Sequence, residues 1–181
     1  MGTAQQGAVT RTYLEMLSPD GLRPARVPDP APSIARVDPP SGAVSRDLYL
    51  SVGQDWWWTD RQDWSLDEWE AWSAHAATWV GSVDGEFIGY GELFPRRKGE
   101  IELAYFGLLP GWTGRGYGGH MLTELTRRAW ETPGTGRVWL STGTLDSKAA
   151  LPGYLNRGFV PFARHQEPAP ARPRSQGSEP A

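Results

Sequence analysis

The chain has 181 residues, which is enough for one domain with a sizeable core and short for two. With 39% hydrophobic and 22% charged residues, its composition is that of a globular protein rather than a disordered one. The net charge of −3 argues against a general nucleic-acid binder, and no run approaches the ~18 apolar residues that span a bilayer. The absence of cysteine excludes disulfides, thiolate metal sites and cysteine nucleophiles.

The two ends of the chain differ in composition from its middle. Residues 1–10 are small and polar and lack the charged and then apolar pattern of a signal peptide, so we expect a flexible amino terminus and a cytoplasmic protein. Residues 166–181 are rich in Pro, Ala and Ser and are predicted to be a disordered tail. A single domain is therefore predicted over residues 11–165. Within it, the prolines of residues 23–40 exclude regular structure and predict an extended, ordered crossing.

The first regular elements are a strand and a helix. Residues 12–17 can form the first strand, and residues 41–53 predict a helix that begins after Ser41 as its capping residue. Three apolar side chains are expected on one face of this helix: Val44, Leu48 and Val52.

A second helix and a hairpin follow. Residues 65–76 predict a helix that opens with a capping box formed by Ser65 and Glu68. The next two strand patterns are joined by Asp84 and Gly85, which form the strongest short hairpin signal in the chain.

The remaining patterns alternate between strand and helix. Residues 100–109 predict the third consecutive strand, and a helix follows that stops at Pro133. A buried strand over 137–142, a short helix over 148–156 and a last strand over 159–163 complete the domain. Helices therefore separate an antiparallel run from later strands that would pair in parallel. This order predicts a mixed α/β domain of three layers.

The glycine stretch, residues 111–120 (GWTGRGYGGH), lies between a predicted strand and a predicted helix. The amino terminus of a helix presents unpaired N–H groups and a positive dipole end, so this arrangement can bind an anion. Two known phosphate-binding loops fit poorly. A nucleoside triphosphate loop needs Lys-Ser/Thr where Gly119 and His120 stand, and the acidic residue of a dinucleotide-binding unit is missing. The glycines alone fit a structural turn as well as they fit a ligand site.

The sequence around the glycine stretch carries a family resemblance. Residues 102–130 resemble the acetyl-CoA-binding motif of the GNAT superfamily of N-acyltransferases, in which Gln/Arg-x-x-Gly-x-Gly/Ala separates a strand ending in hydrophobic-x-Pro from an amphipathic helix. Thr113 replaces the Gln or Arg, so one side-chain contact to phosphate is expected to be lost. Downstream, AALPGYLNRGF is similar to the family's A-x-x-x-Tyr-x-x-x-Gly-Phe element. Its matching residues are Ala150, Tyr154, Gly158 and Phe159.

The resemblance covers roughly residues 78–163 and implies a fold. The family has a three-layer domain with a splayed, mostly antiparallel central sheet flanked by about four helices. The strands over 100–108 and 137–142 would diverge to admit the pantetheine arm, with a bulge expected at Gly107. The family often has one more carboxy-terminal strand, whereas this chain continues into the Pro-rich tail.

The resemblance also implies acetyl-CoA as co-substrate and a set of residues around it. Ser147 stands where the family often has Asn. The residues expected to contact the coenzyme are Leu108, Leu109, Thr113, Gly114, Arg115, Gly116, Tyr117, Gly118, Gly119 and Ser147. Glu102 lies where many members carry a general base, and Tyr154 matches a tyrosine that meets the coenzyme sulfur and can protonate the thiolate. The alternatives are a solvent-facing strand residue for Glu102 and a core tyrosine for Tyr154.

Candidate acceptor-binding residues come from the strand and from the tryptophan-rich segment 55–64. In the family this segment lines the acceptor pocket, and Trp57, Arg61 and Glu100 are the candidates here. Adjacent aromatic side chains cannot all point inward, so at least one of residues 56–58 should be partly exposed. The alternative is a second core under the two helices, which we favour for two other tryptophans, Trp64 and Trp69.

The predicted function is transfer of an acetyl group from acetyl-CoA to a primary amine in a ternary complex, with no covalent enzyme intermediate. The expected partner is a small-molecule amine, with no nucleic acid, no membrane and no metal, and a homodimer is compatible with the family. One rival is a non-catalytic acyl-CoA-binding module of the same fold, and another is a transferase for longer acyl groups.

Overall fold

The computed structural model describes residues 8–170, and the predictions for residues 1–7 and 171–181 lie outside the described residues. In the described part, seven strands form one sheet. They are β1 (Ala8–Met16), β2 (Ser33–Arg36), β3 (Ala77–Val83), β4 (Glu86–Arg97), β5 (Glu100–Leu108), β6 (Arg137–Gly143) and β7 (Val160–Pro168). The α-helices of this part are α1 (Gly42–Gly53), α2 (Leu66–Ser73), α3 (Tyr117–Glu131) and α4 (Ala150–Asn156).

The helices cover both faces of the sheet, whose strand order is β2-β3-β4-β5-β6-β1-β7. On one face, Tyr49 of α1 and Trp69 of α2 pack with Tyr90 of β4. On the other face, Leu125 of α3 and Tyr154 of α4 belong to the main core. The predicted mixed α/β three-layer domain with a mostly antiparallel sheet is therefore confirmed.

Local signals placed the helix starts and the hairpin correctly. The Ser41 hydroxyl accepts a hydrogen bond from the Val44 amide at the start of α1. Ser65 and Glu68 form the predicted capping box of α2. Asp84 and Gly85 have φ angles of 51° and 83°, which a tight hairpin of this type requires.

The buried face of α1 differs from the prediction. Val44 is 39% exposed, whereas Ser45, Tyr49 and Val52 are buried. Ser45 takes the inward position because its hydroxyl is hydrogen-bonded to Thr78 of β3 and accepts a hydrogen bond from Ser73 of α2. A polar contact between three elements therefore overrides the apolar pattern.

The proline-rich crossing contains a strand, contrary to the prediction for residues 23–40. Its proline-free part, Ser33–Arg36, pairs antiparallel with β3 as β2. The strand lies at the edge of the sheet, where prolines beyond its ends interrupt no further pairing.

Strand β1 lies between β6 and β7 and is antiparallel to both. It begins at Ala8 rather than at residue 12, and β7 extends to Pro168. Residues 8–10, predicted to be flexible, pair with residues 166–168, predicted to be tail. Main-chain hydrogen bonding extends both strands beyond their apolar patterns.

The further carboxy-terminal strand that the resemblance implies is absent from the described residues. Instead, β1 gives β6 its second neighbour, and β7 pairs with β1 rather than with β6. Parallel pairing within the described residues is therefore limited to β5 with β6, fewer strands than the alternating pattern predicted.

Replacing Leu14 of β1 with alanine tests this placement. Leu14 is fully buried in the main core, so Leu14→Ala should lower the free energy of unfolding by about 2–5 kcal/mol. Urea unfolding measures the loss, and Leu17→Ala is the control because Leu17 is 65% exposed just after the strand. Equal stabilities of the two variants would contradict a buried β1.

Candidate active site

The sheet opens between β5 and β6, as the resemblance implies. In the described chain, three residue pairs join these parallel strands: Glu100 with Arg137, Ile101 with Val138 and Glu102 with Trp139. Beyond Glu102 the strands diverge, and we call this divergence the fork. A cavity of about 840 Å³ occupies the fork and borders residues of both strands, the glycine stretch and the tryptophan-rich segment.

A β-bulge at Ala104 sets which side chains of β5 face α1 and α2. Glu92 pairs with Tyr105 and Leu93 with Leu103, so Ala104 is an extra residue between the two pairs. The alternation changes phase there, and Tyr105 packs on the side of α1 and α2 instead of sharing a face with Leu103. Tyr105 therefore lies on the same side of the sheet as Glu102.

The predicted bulge at Gly107 is wrong, because Gly107 pairs regularly with Tyr90. A glycine is needed there for packing. A Cβ at this position would lie 2.6 Å from Cγ1 of Val52 and 3.3 Å from the Trp58 ring. The requirement at Gly107 thus comes from helix α1 and the segment after it rather than from irregular pairing.

The glycine stretch ends at the start of α3. Gly116 is the N-cap residue with a φ of 88°, and Gly114 has a φ of 73°, a region that favours glycine. Within residues 8–170, no side chain caps this helix end. Gly118 and Gly119 of the first turn border the cavity, so unpaired N–H groups and the helix dipole are available to an anion there.

Most of the residues predicted to contact the coenzyme border the one cavity. They are Leu108, Thr113, Gly114, Gly116, Gly118, Gly119 and Ser147. The hydroxyl of Thr113 donates to the Pro110 carbonyl oxygen at 2.9 Å, so it is used within the turn.

Three predicted coenzyme contacts lie away from the cavity. The Leu109 amide donates to the Ile88 carbonyl oxygen at 2.9 Å, so this N–H group is already hydrogen-bonded within the protein. Tyr117 is 2% exposed and its hydroxyl donates to the Pro30 carbonyl oxygen, which makes it a core side chain. The Arg115 guanidinium stacks on Trp112 with its central carbon 4.6 Å from the ring centre.

Glu102 lies where the fork begins, is 9% exposed and borders the cavity. Its carboxylate forms an ion pair with Arg96 of β4, whose side chain is 40% exposed. Strand β4 continues to Arg97 and brings Arg96 across from β5. The length of the hairpin, which the sequence does not reveal, creates this pair.

Glu100 does not join Glu102. It accepts from Arg137 at 3.5 Å, and Arg137 also donates to Glu15 of β1 at 2.7 Å. Glu100 and Arg137 line a second pocket of about 410 Å³. The structure therefore places the predicted acceptor-binding residue Glu100 outside the main cavity.

Tyr154 lies between the core and the cavity. It is 8% exposed, and its ring centre is 6.3 Å from that of Phe159. Burial raises the pKa of Tyr154, and the Asp146 carboxylate raises it further. The hydroxyl therefore keeps its proton at neutral pH and can serve as a proton donor.

Asp146 is a cavity residue that the sequence analysis missed. Its carboxylate accepts from the Thr142 hydroxyl at 2.6 Å and from the Gly143 amide at 2.8 Å. These hydrogen bonds anchor the turn that follows β6, beside Ser147.

The segment between α1 and α2, residues 54–65, supplies one wall of the cavity, and we call it the aromatic segment. As expected, residues 56–58 are partly exposed. Trp58 packs on Tyr49 and Tyr105 with ring centres 5.7 and 4.9 Å apart. Trp57 borders the cavity and has a φ of 59°, a strained value for a bulky residue. The core interpretation is confirmed for Trp69, which is 1% exposed.

Arg61, a predicted acceptor-binding residue, is buried, at 5% exposure, and borders the cavity. Its guanidinium carbon lies 3.5 Å from the ring centre of Trp72, 4.3 Å from Tyr105 and 4.5 Å from Trp64. Its Nη1 donates to Oε2 of Glu92 at 3.5 Å.

Glu92 is fully buried behind Arg61, and the sequence analysis missed it. Its carboxylate accepts from the indole N–H of Trp72 at 2.8 Å. Burial raises the pKa of Glu92, while Arg61 and the Trp72 hydrogen bond act against that rise. One signal was available, since this is a carboxylate inside an otherwise apolar strand pattern.

Glu92→Gln tests the raised pKa. Because its pKa is raised, the Glu92 carboxyl group holds its proton more tightly in the folded protein than in the unfolded chain, where the pKa of Glu is about 4.3. The contribution of Glu92 to stability is therefore complete below that value and is lost as the pH rises through the folded pKa. As the pH rises through this window, the stability of Glu92→Gln should therefore increase relative to that of the wild type.

Urea unfolding between about pH 4 and pH 8 measures the difference in free energy of unfolding at each pH. Glu86→Gln is the control, because Glu86 is exposed beside the hairpin turn. A pH-independent difference for Glu92→Gln would contradict the shift.

Among residues 8–170, no group of three or more His, Cys, Asp or Glu side chains could hold a metal ion. In the same part of the chain, no helix has the length and apolar character needed to cross a membrane.

Comparison with solved structures gives the fold. A GCN5-related N-acetyltransferase from Kribbella flavida is similar with a TM-score of 0.64 and 20% identity over 86% of this chain and 55% of that one. An IAA acetyltransferase from Bacillus cereus ATCC 14579 has a TM-score of 0.58 and 22% identity over 74% and 79% of the two chains. A GCN5-related N-acetyltransferase from Sphaerobacter thermophilus has a TM-score of 0.63 and 17% identity over 92% and 53%.

The chain thus spans little more than half the length of the first and third of these proteins. No curated protein sequence matches it. A family model gives the assignment, because residues 45–159, more than half of the chain, match the model described as "Acetyltransferase (GNAT) family". The fork, the glycine stretch and this match lead to one conclusion: the chain belongs to the GNAT family of acetyltransferases.

Proposed function

We propose that the protein transfers an acetyl group from acetyl-CoA to a primary amine of a small molecule. The observation that carries the proposal is the cavity in the fork, which runs from the glycine stretch to Glu102 and Tyr154. One continuous space thus joins an anion-binding helix end to a carboxylate and a protonated hydroxyl. Transfer from a phosphate-bearing thioester to an amine needs these three features.

The main chain of this protein supplies the binding surface for the coenzyme. The N–H groups of Gly116, Gly118 and Gly119 at the start of α3 suit the diphosphate. Beyond Glu102, the edge of β5 that faces the fork has lost β6 as a partner. An extended arm with amide groups can add to such an edge as a strand would.

The reaction is a direct displacement. The neutral amine attacks the thioester carbonyl carbon, a C–N bond forms, and the C–S bond breaks. Glu102 accepts the proton that the amine loses, directly or through a water molecule, and Tyr154 donates a proton to the departing thiolate. Amide groups of β5 near the bulge at Ala104 can stabilise the oxyanion.

Arg96 is assigned a positioning role. Its guanidinium holds the Glu102 carboxylate where the fork begins. The side chain of Arg96 also lies over Phe94, with its central carbon 4.7 Å from the ring centre. This packing limits where the Glu102 carboxylate can move.

Substitution of the two reacting groups tests the mechanism. Glu102→Gln and Tyr154→Phe should each lower kcat by about 10²–10⁴, because each removes a proton-transfer group. Neither should change the affinity for coenzyme A. Thiol release from acetyl-CoA against a panel of primary amines measures turnover, and thermal shift measures coenzyme binding.

Glu100→Gln is the matched control, since Glu100 lies outside the cavity and should keep turnover near the wild-type rate. If acetyl-CoA produces no thermal shift while longer thioesters do, the donor is wrong. If acetyl-CoA binds but no amine causes thiol release, the protein is a binding module and the proposal fails.

A pair of glycine substitutions tests the glycine stretch. Gly114 has a φ of 73° and open space around it, so Gly114→Ala changes only the backbone preference. The strain of about 1–2 kcal/mol should reshape the turn and weaken coenzyme A binding roughly tenfold. Gly111→Ala is the control, since Gly111 has open space and no such φ. Equal affinities, measured by calorimetry, would contradict a binding role for this turn.

A further inference from the structure

The guanidinium of Arg61 borders the cavity with most of its donors unused. Its side chain is 5% exposed. Within residues 8–170, the one hydrogen bond of this side chain runs from Nη1 to Glu92, at the long distance of 3.5 Å. A guanidinium has five N–H donors. Several therefore remain for a ligand on the cavity side of the group.

Aromatic rings pack around this guanidinium. Trp72 lies 3.5 Å from its central carbon and Tyr105 lies 4.3 Å from it, measured to the ring centres. Ring faces stabilise a cation but accept little from N–H groups that lie in its plane. A planar guanidinium held in this way binds carboxylates through two parallel hydrogen bonds.

The other arginines that border the cavity have close carboxylate partners. Arg96 pairs with Glu102, and Arg11 donates to Glu167 at 2.9 Å. Among the described residues, the neighbouring Asp60 forms no ion pair with Arg61, and its carboxylate accepts from the hydroxyls of Tyr49 and Tyr105.

Arg61 and the proposed base lie around one indole ring. The guanidinium carbon of Arg61 is 3.5 Å from the ring centre of Trp72, and that of Arg96, the partner of Glu102, is 5.4 Å from it. The two guanidinium carbons are thus at most about 9 Å apart, so one small molecule in the cavity can reach both Arg61 and Glu102. An amino acid carries a carboxylate and an amine within such a span.

We propose that the acceptor is an amine that carries a carboxylate, of the amino acid class, and that Arg61 binds this carboxylate. This assignment rests on the proposed function, since it identifies the acceptor of that reaction. It makes Arg61 a specificity-determining residue. The ring faces of Trp72 and Tyr105 orient it.

A purely structural role for Arg61 makes a different prediction. In that case the guanidinium would serve only to balance the buried Glu92. Removing one partner of a buried ion pair is strongly destabilising, whereas removing both is often tolerated. The double variant Arg61→Met/Glu92→Gln therefore separates binding from folding, and thermal unfolding confirms that it folds.

The experiment compares amino acids with the amines that lack their carboxylate. The pairs are phenylalanine with phenethylamine, leucine with isoamylamine, and alanine with ethylamine. Calorimetry in the presence of coenzyme A gives the affinity of each compound without turnover. The wild type should bind at least one amino acid about 10- to 100-fold more tightly than its amine, the effect of a charge-assisted hydrogen bond.

In the folded double variant the ratio of affinities should fall towards one, while Arg46→Met, on the exposed side of α1, should keep the wild-type ratio. The inference is overturned if no amino acid binds the wild type more tightly than its amine. It is also overturned if the double variant keeps the preference. Thiol release is measured separately, so that absent turnover with a retained binding preference would refute the proposed function and leave the carboxylate site standing.

Discussion

The site depends on the pairing of β5 with β6, which stops partway along the two strands. The two strands are hydrogen-bonded as far as Glu102 and Trp139 and then separate. A sheet that stayed closed would bury its own main-chain groups and leave no space in the centre of the domain. The fork instead exposes them to a cavity. The structure tolerates this opening because helices cover both faces of the sheet and because β1 supports β6 from its other side.

Two devices direct chemical groups into that opening. The bulge at Ala104 shifts the alternation of β5, so Glu102 and Tyr105 lie on the side of α1 and α2 while Leu108 packs against α3. The aromatic segment then closes this side and carries Arg61 into the wall. The two features act together, because the bulge directs Tyr105 towards α1 and α2 and the aromatic segment supplies the surface that Tyr105 faces.

Features determined by neighbouring residues were predictable from the sequence, as were the motifs. The caps at Ser41 and Ser65 and the turn at Asp84 depend on local hydrogen bonds, and the glycine stretch was placed before the correct helix. The bulge, the burial of Arg61 and the pair of Arg96 with Glu102 depend on strand register and on contacts between distant segments. A single sequence does not encode register visibly, because shifting it by one residue changes every facing side chain.

The position of β1 has a consequence for how the domain forms. Its partners begin at residue 138 and extend to residue 168, so the first strand of the chain pairs almost exclusively with residues far along the sequence. Loops of this length have a high closure entropy, and contacts of this kind slow folding. Strands β3, β4 and β5, by contrast, pair with their neighbours along the chain. We infer an order of assembly in which β3, β4 and β5 pair early, whereas β6, β1 and β7, on the other side of the fork, come together only when the two ends of the domain meet.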